Sequence, residues 1–169
     1  MIPRIAIFPE TKVIGMRMTM SYSDYKAREL WKRFMPRRKE VLNTIGTDYY
    51  SMQLFSPTFY DNFNPTAAFE YWTAVVTTDF EKIPEGMASF TISSGLYAVF
   101  TYKGDANGAP AAFEYIFATW LPSSEYVLDH RPHFEILGDK YINDHPDSEE
   151  EIWIPVKLKK KVNLPPEIK

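Results

Sequence analysis

The 169-residue sequence has no cysteine, only three histidines and only seven glycines. Without cysteine there is no disulfide scaffold, no thiolate-ligated zinc and no thiol nucleophile. The fold must therefore stand on its hydrophobic core, and a chain of this length buries about two thirds of the surface that its unfolded form exposes. No apolar run reaches the roughly 18 residues of a membrane-spanning helix. The opening MIPRIAIFPE lacks the apolar stretch and small-residue cleavage site of a secretory leader, so the expected location is the cytoplasm. A GxGxxG fingerprint, a Walker loop and a GxSxG elbow are all missing. So is any excess of positive charge. Nineteen Lys+Arg face 22 Asp+Glu, a net charge of -3 that opposes attraction to a nucleic-acid backbone. What the chain has in surplus is aromatic side chains, 12 Phe, 11 Tyr and 4 Trp, more than core filling alone requires.

Apolar periodicity divides the chain into strands and helices. Residues 13–20 (VIGMRMTM), 49–55, 69–77, 95–102, 134–137 and 152–158 read as strands by alternation or by β-branched and aromatic content. After an expected N-cap at Ser23-Asp24, Ala27, Leu30, Trp31, Phe34 and Met35 fall at helical spacing, and Pro36 marks an end or a kink. Residues 109–121 (APAAFEYIFATWL) read as a second helix with Pro110 in its first turn. Residues 56–66 (SPTFYDNFNPT) carry turn chemistry and read as a loop.

The two halves repeat one order. Residues 69–75 match 150–156 at an offset of 81, residues 52–55 match 134–137 at 82, and Trp31/Phe34/Pro36 match Phe117/Trp120/Pro122 at 86. The expected fold is therefore α+β and a single domain over residues 1–169. It is a duplicated strand-helix-strand-strand unit, the first copy at about 10–80 and the second at about 90–160. The expected architecture is an antiparallel sheet with two main helices around a central pocket, under pseudo-two-fold symmetry. Such symmetry brings Gln53 towards Glu135 and Trp72 towards Trp153, and a cleft between related halves is a natural ligand pocket.

Glu135 is the candidate site acid, a lone carboxylate in the apolar strand Phe134-Glu135-Ile136-Leu137. If its face, shared with Leu137 and His133, is the pocket, the group must be protonated or meet a cation. Trp153, Trp120, Phe117, Phe113, Trp72, Tyr97 and Tyr50 are the aromatic lining expected around it, with Gln53 as its polar counterpart. Rings and one acid suit a flat or cationic organic molecule, each cation–π contact contributing roughly 0.5–2 kcal/mol. The residues point to no cofactor and no metal, since Pro132 breaks the alignment of His130 with His133, and His145 and Asp129 supply no known ligand spacing. The acidic run at 147–151 reads as a solvated turn. The basic run Lys157 to Lys161 and the cluster Arg37, Arg38 and Lys39 read as solvated faces.

The duplicated unit, the segment HFEILGDKY at 133–141 and the closing EIWIPVK at 151–157 resemble the GyrI-like effector-binding domain, also found as the ligand-binding half of bacterial multidrug-sensing transcription regulators. That resemblance implies a pseudo-symmetric α+β domain whose aromatic pocket holds lipophilic cations against an acid, which falls on Glu135. It places pocket aromatics on Phe113, Phe117 or Trp120 and on Trp153. A standalone binder that sequesters amphipathic compounds is the leading expectation. A hydrolase opening strained, cyclopropane-containing toxins with Glu135 as its catalytic group is the alternative, and a gyrase-inhibitor-like protein-binding module is a further one. Residues 1–12 are too short for a helix-turn-helix. No DNA-binding module and no membrane partner are therefore expected, and operator binding would need a separate regulator or protein partner.

Overall fold

The computed structural model describes residues 1–160. Its strands are β1 (Arg4–Phe8), β2 (Thr11–Met20), β3 (Tyr49–Leu54), β4 (Phe69–Val76), β5 (Ala88–Ile92), β6 (Gly95–Lys103), β7 (Tyr126–Leu128), β8 (His133–Leu137) and β9 (Glu149–Leu158). They form one antiparallel sheet in the order β1-β6-β9-β8-β3-β4-β2-β5, with β7 added at the end of β9. The strands expected from alternation are present with small shifts. β1, β5 and β7, which are short or bounded by proline, are additional. Glu149–Glu151 belong to β9 and not to a solvated turn, because they pair with Thr101–Lys103 of β6.

Helix α1 (Ala27–Phe34) begins three residues after Asp24. Lys26 occupies the cap position without a side-chain hydrogen bond, because Ser21, Ser23 and Asp24 bond among themselves in a preceding turn. Pro36 does not stop the chain's coiling. It sits at the start of a 3-10 segment, Met35–Glu40, where its missing N–H costs nothing. Helix α2 (Ala109–Glu114) widens into a π-helical segment, Tyr115–Trp120, before the short α3 (Leu121–Ser123).

The strand order is palindromic, and the registers show why. The pair Met16↔Thr73 recurs as Ala98↔Ile154, and Met52↔Trp72 recurs as Phe134↔Trp153, each 82 and 81 positions on. Met52 and Phe134 pair with each other at the centre. The helices obey the same offset, with buried Leu30 and Phe34 corresponding to buried Ala112 and Ile116. The helix match at 86 is therefore corrected by one helical turn, and Phe34 and Trp120 are not equivalent.

Alternation splits the core between the two faces. One face carries Phe8, Tyr50, Met52, Trp72, Tyr97, Phe134 and Trp153 in a single cluster. β1 and β3 lie four strand spacings apart, about 19 Å in a flat sheet, yet the Phe8 and Tyr50 rings approach to 6.5 Å. The sheet therefore curls towards this face and closes on it. The opposite face carries the helices, α1 over Ile14, Met16, Tyr71 and Val75, and α2 over Ala98, Phe100, Ile152 and Ile154. The central strands β3 and β8 run between these two helix-covered clusters.

Candidate ligand-binding site

The register of β3 on β8 builds the site. Ser51 faces Glu135 and Gln53 faces His133, all four on the helix side of the sheet. Gln53 Nε2 donates to Glu135 Oε2 at 3.0 Å and to Ser51 Oγ at 3.3 Å. Ser51 and the Tyr71 hydroxyl share a bond of 2.5 Å, and Trp31 Nε1 donates to that hydroxyl at 3.0 Å. A buried polar chain thus runs from α1 through β4 and β3 to the carboxylate on β8. Replacing Tyr71 by Phe strips Trp31 Nε1 and Ser51 of a shared partner. It is expected to lower unfolding stability by about 1–2 kcal/mol, measured by urea titration, with Trp31 fluorescence reporting the changed surroundings.

Glu135 accepts this one side-chain amide and forms no ion pair among the described residues. Burial, with the negative charge of Glu150 next in size, pushes its carboxyl up to about 8 against the opposing hydrogen bond from Gln53. Burial also raises Glu150, one of the acids expected to be solvated, to about 7. His133, buried two residues before Glu135, is held neutral with a value lowered to about 3, first by burial and then by Arg131 and His130. Desolvation of the hydroxyl raises Tyr60 above the ordinary range, and also Tyr22 and Tyr25, which are 42% and 56% exposed, and the Glu135 charge adds to the effect. The site is an acid set among phenols and rings.

A cavity of about 10 Å³ separates these groups, bounded by Glu135, Gln53, Tyr22, Tyr60, Phe55 and Phe113 among others. That is room for about one water. Tyr60 stacks on Phe117 at 4.3 Å and lies nearly parallel to His133 at 5.7 Å. Tyr22 packs on Tyr25, Phe59 and Phe69.

Of the residues expected at the site, the structure brings Glu135, Gln53 and Phe113 together at the cavity, and Phe117 stands behind Tyr60. Trp120 instead packs on Phe100 and Tyr126 beneath the second helix. Trp72, Tyr97 and Tyr50 lie in the cluster on the other face. Trp153 borders the cavity, but its ring packs on Phe8, Phe134 and Tyr97 of that same cluster. Leu137 lies at the outer end of β8, paired with Tyr49. The tryptophans of β4 and β9 are held in matching ways. Trp72 Nε1 donates to Glu70 at 2.6 Å under Arg17, and Trp153 Nε1 donates to Glu151 at 3.4 Å under Arg4. His133 lies on the face of Glu135 as expected, whereas Tyr22, Tyr25, Phe55, Tyr60 and Ser51 were not expected at the site. Tyr22 and Tyr60 sit in segments whose Ser, Asp, Asn and Pro content signals turns. The alternation of β3 was the one cue that could have found Ser51. His130 Nε2 lies 3.2 Å from the Phe55 carbonyl oxygen.

Residues 1–157 match the family described as the GyrI-like small molecule binding domain. The chain belongs to the GyrI-like family. The GyrI-like chain is 26% identical over 154 residues to the transcriptional regulator BrlR of Pseudomonas aeruginosa, covering 90% of this chain and 54% of BrlR. It thus spans about half the length of that curated relative. Its fold superposes on SAV2435 bound to tetraphenylphosphonium with a TM-score of 0.72 at 17% identity, covering 93% and 94% of the two chains. It also superposes on the C-terminal domain of EcmrR with a TM-score of 0.64 at 19% identity, covering 94% of this chain and all of that one. Among the described residues, no helix is long and apolar enough to cross a membrane.

Proposed function

We propose that this GyrI-like domain binds lipophilic organic cations, with Glu135 as counter-charge and Tyr22, Tyr60, Phe55 and Phe113 as stacking faces. The observation that carries the reading is a half-buried carboxylate among rings with one amide donor and no cation opposite it among the described residues. A buried carboxylate without a cation is costly, and a ligand cation is what removes that cost. The bound tetraphenylphosphonium of SAV2435 supports the choice of ligand class. Drug-sized ligands need some 300–1,000 Å³, so admission requires the exposed Tyr22 ring to swing off the cavity while Tyr60 stays on Phe117. The GyrI-like domain is read as a module of one domain over the whole chain, acting on its ligand in the cytoplasm, alone or beside a separate regulator.

Titration with tetraphenylphosphonium, followed by calorimetry, tests the reading. One saturable site with micromolar or tighter affinity is expected, and no saturable heat up to millimolar ligand overturns it.

The same acid favours a second reading. A carboxyl held protonated near neutrality is matched to general acid catalysis, so Glu135 is placed to protonate a strained ring as water attacks it. Incubation with a cyclopropane-containing electrophile and chromatography of the products decides this. A hydrolysed product absent in Glu135→Ala supports it, and an unchanged substrate leaves the domain a binder.

A further inference from the structure

Beside the Glu135 cavity, on the far side of a wall made by Phe55, Tyr60 and His133, lies a groove of about 550 Å³. That volume falls within the range of small-molecule sites. Its floor is apolar and aromatic. The Tyr60–Phe117 stack at 4.3 Å forms one side, and Tyr126, itself stacked on Trp120, forms another. Three cationic side chains line it, Arg131, Lys157 and Lys159. The wall contains two acids, Asp61 and Asp129. Asp129 is already occupied, accepting from Arg131 Nε at 2.8 Å and from the His130 backbone N–H at 2.9 Å. Lys157 and Lys159 stand on the rim without an ion pair among the described residues, and Lys159 Nζ donates only to the Pro122 carbonyl at 3.0 Å. On a chain of net charge -3 this is a locally basic, ring-floored trough.

We propose that this groove is a second ligand site, selective for amphipathic organic anions such as aryl sulfonates and aryl carboxylates. The planar part lies against the Tyr60–Phe117 stack and the acid group lies between the Lys157 and Lys159 ammonium groups. Both lysines are exposed on the rim, where two ammonium groups beside an apolar floor attract an anion whose planar part the rings hold. The ring stack supplies the non-polar contact. The proposal does not rest on cation binding at Glu135, because the two chambers share only a wall.

The test uses the full chain and 8-anilinonaphthalene-1-sulfonate, followed by fluorescence. A single saturable site is expected, with affinity falling about tenfold in the charge-reversal variant Lys157→Glu/Lys159→Glu and falling also in Phe117→Ala. The charge-reversed variant should keep its far-ultraviolet circular dichroism, which separates a lost site from a lost fold. Saturating tetraphenylphosphonium should leave the dye bound. Dye affinity that survives charge reversal, several equivalent dye sites, or full displacement by tetraphenylphosphonium would each overturn the assignment. A chain that binds the dye in this way but fails to bind tetraphenylphosphonium counts against the Glu135 reading alone.

Discussion

Affinity for tetraphenylphosphonium is expected to rise about tenfold per pH unit from roughly pH 6 to pH 8 and to level off above. The reason is the state of Glu135. Its carboxyl is raised to about 8, chiefly by burial, so most of the empty domain is protonated there at neutral pH. A cation binds the ionised form, so each binding event below that value releases a proton, and the work of releasing it weakens the complex. Above that value the carboxylate is already charged and nothing further is gained. Glu150, raised to about 7, adds a weaker dependence of the same sign. In Glu135→Gln the steep dependence should vanish, and affinity at pH 8.5 should fall by about 1–3 kcal/mol, the value of a charge-assisted contact in a dry site. Calorimetry in two buffers of different ionisation heat reads the released proton directly. A flat pH profile in the unsubstituted chain, or an unchanged affinity in the variant, would sink the assignment of Glu135 as counter-charge.

The same substitution should make the empty domain more stable at alkaline pH. Glu135 titrates near its ordinary 4.5 when the chain is unfolded and at about 8 when folded. Between those values the unfolded chain holds fewer protons than the folded one, so stability is full below about pH 4.5 and declines as pH rises through about 8. Each unit of pKa difference corresponds to about 1.4 kcal/mol, so the decline amounts to a few kcal/mol after allowance for the residual exposure of the group. Gln at 135 keeps an acceptor for Gln53 Nε2 and carries no charge to bury. Urea unfolding at pH 5, 7 and 9 should show a smaller decline in Glu135→Gln and a higher midpoint than the unsubstituted chain at pH 9. A variant less stable at pH 9 would mean that the carboxylate has a favourable partner in the folded state. Ligand affinity is thus obtained at the expense of stability, as in other sites that hold an unpaired charge.

The sheet was readable because β2, β3, β4, β6, β8 and β9 carry alternation or β-branched and aromatic runs, which only a pleated strand satisfies. Glu135 was readable for a related reason, since a lone acid between Phe134 and Ile136 must leave their face. The same parity was not followed through to the aromatics. Trp153 pairs with Phe134, and Trp72 pairs with Met52. All four therefore point away from Glu135, but this follows only from strand register, which hydropathy alone does not supply. The helix start was misplaced because Ser23 and Asp24 serve a turn as readily as a cap. Tyr60 escaped notice because it sits among turn-forming residues, and only tertiary packing on Phe117 and His133 turns that loop into a wall of the site. Of the basic run at 157–161, Lys157, Lys159 and Lys160 are solvated as expected, Lys157 and Lys159 also bordering a groove, and Lys161 lies outside the described residues.

The axis through Met52 and Phe134 has one chemical consequence. Positions 53 and 135 are images of each other under the offset that relates the halves, and their side chains touch. Two glutamates there would set like charges about 3 Å apart, a mutually repelling dyad that shares one proton. Two glutamines would leave no charge at all. With Gln on one side and Glu on the other, a nearly two-fold scaffold acquires a single polarity. A guest of the kind proposed would therefore meet its counter-charge on one side only of the seam between two matching strands.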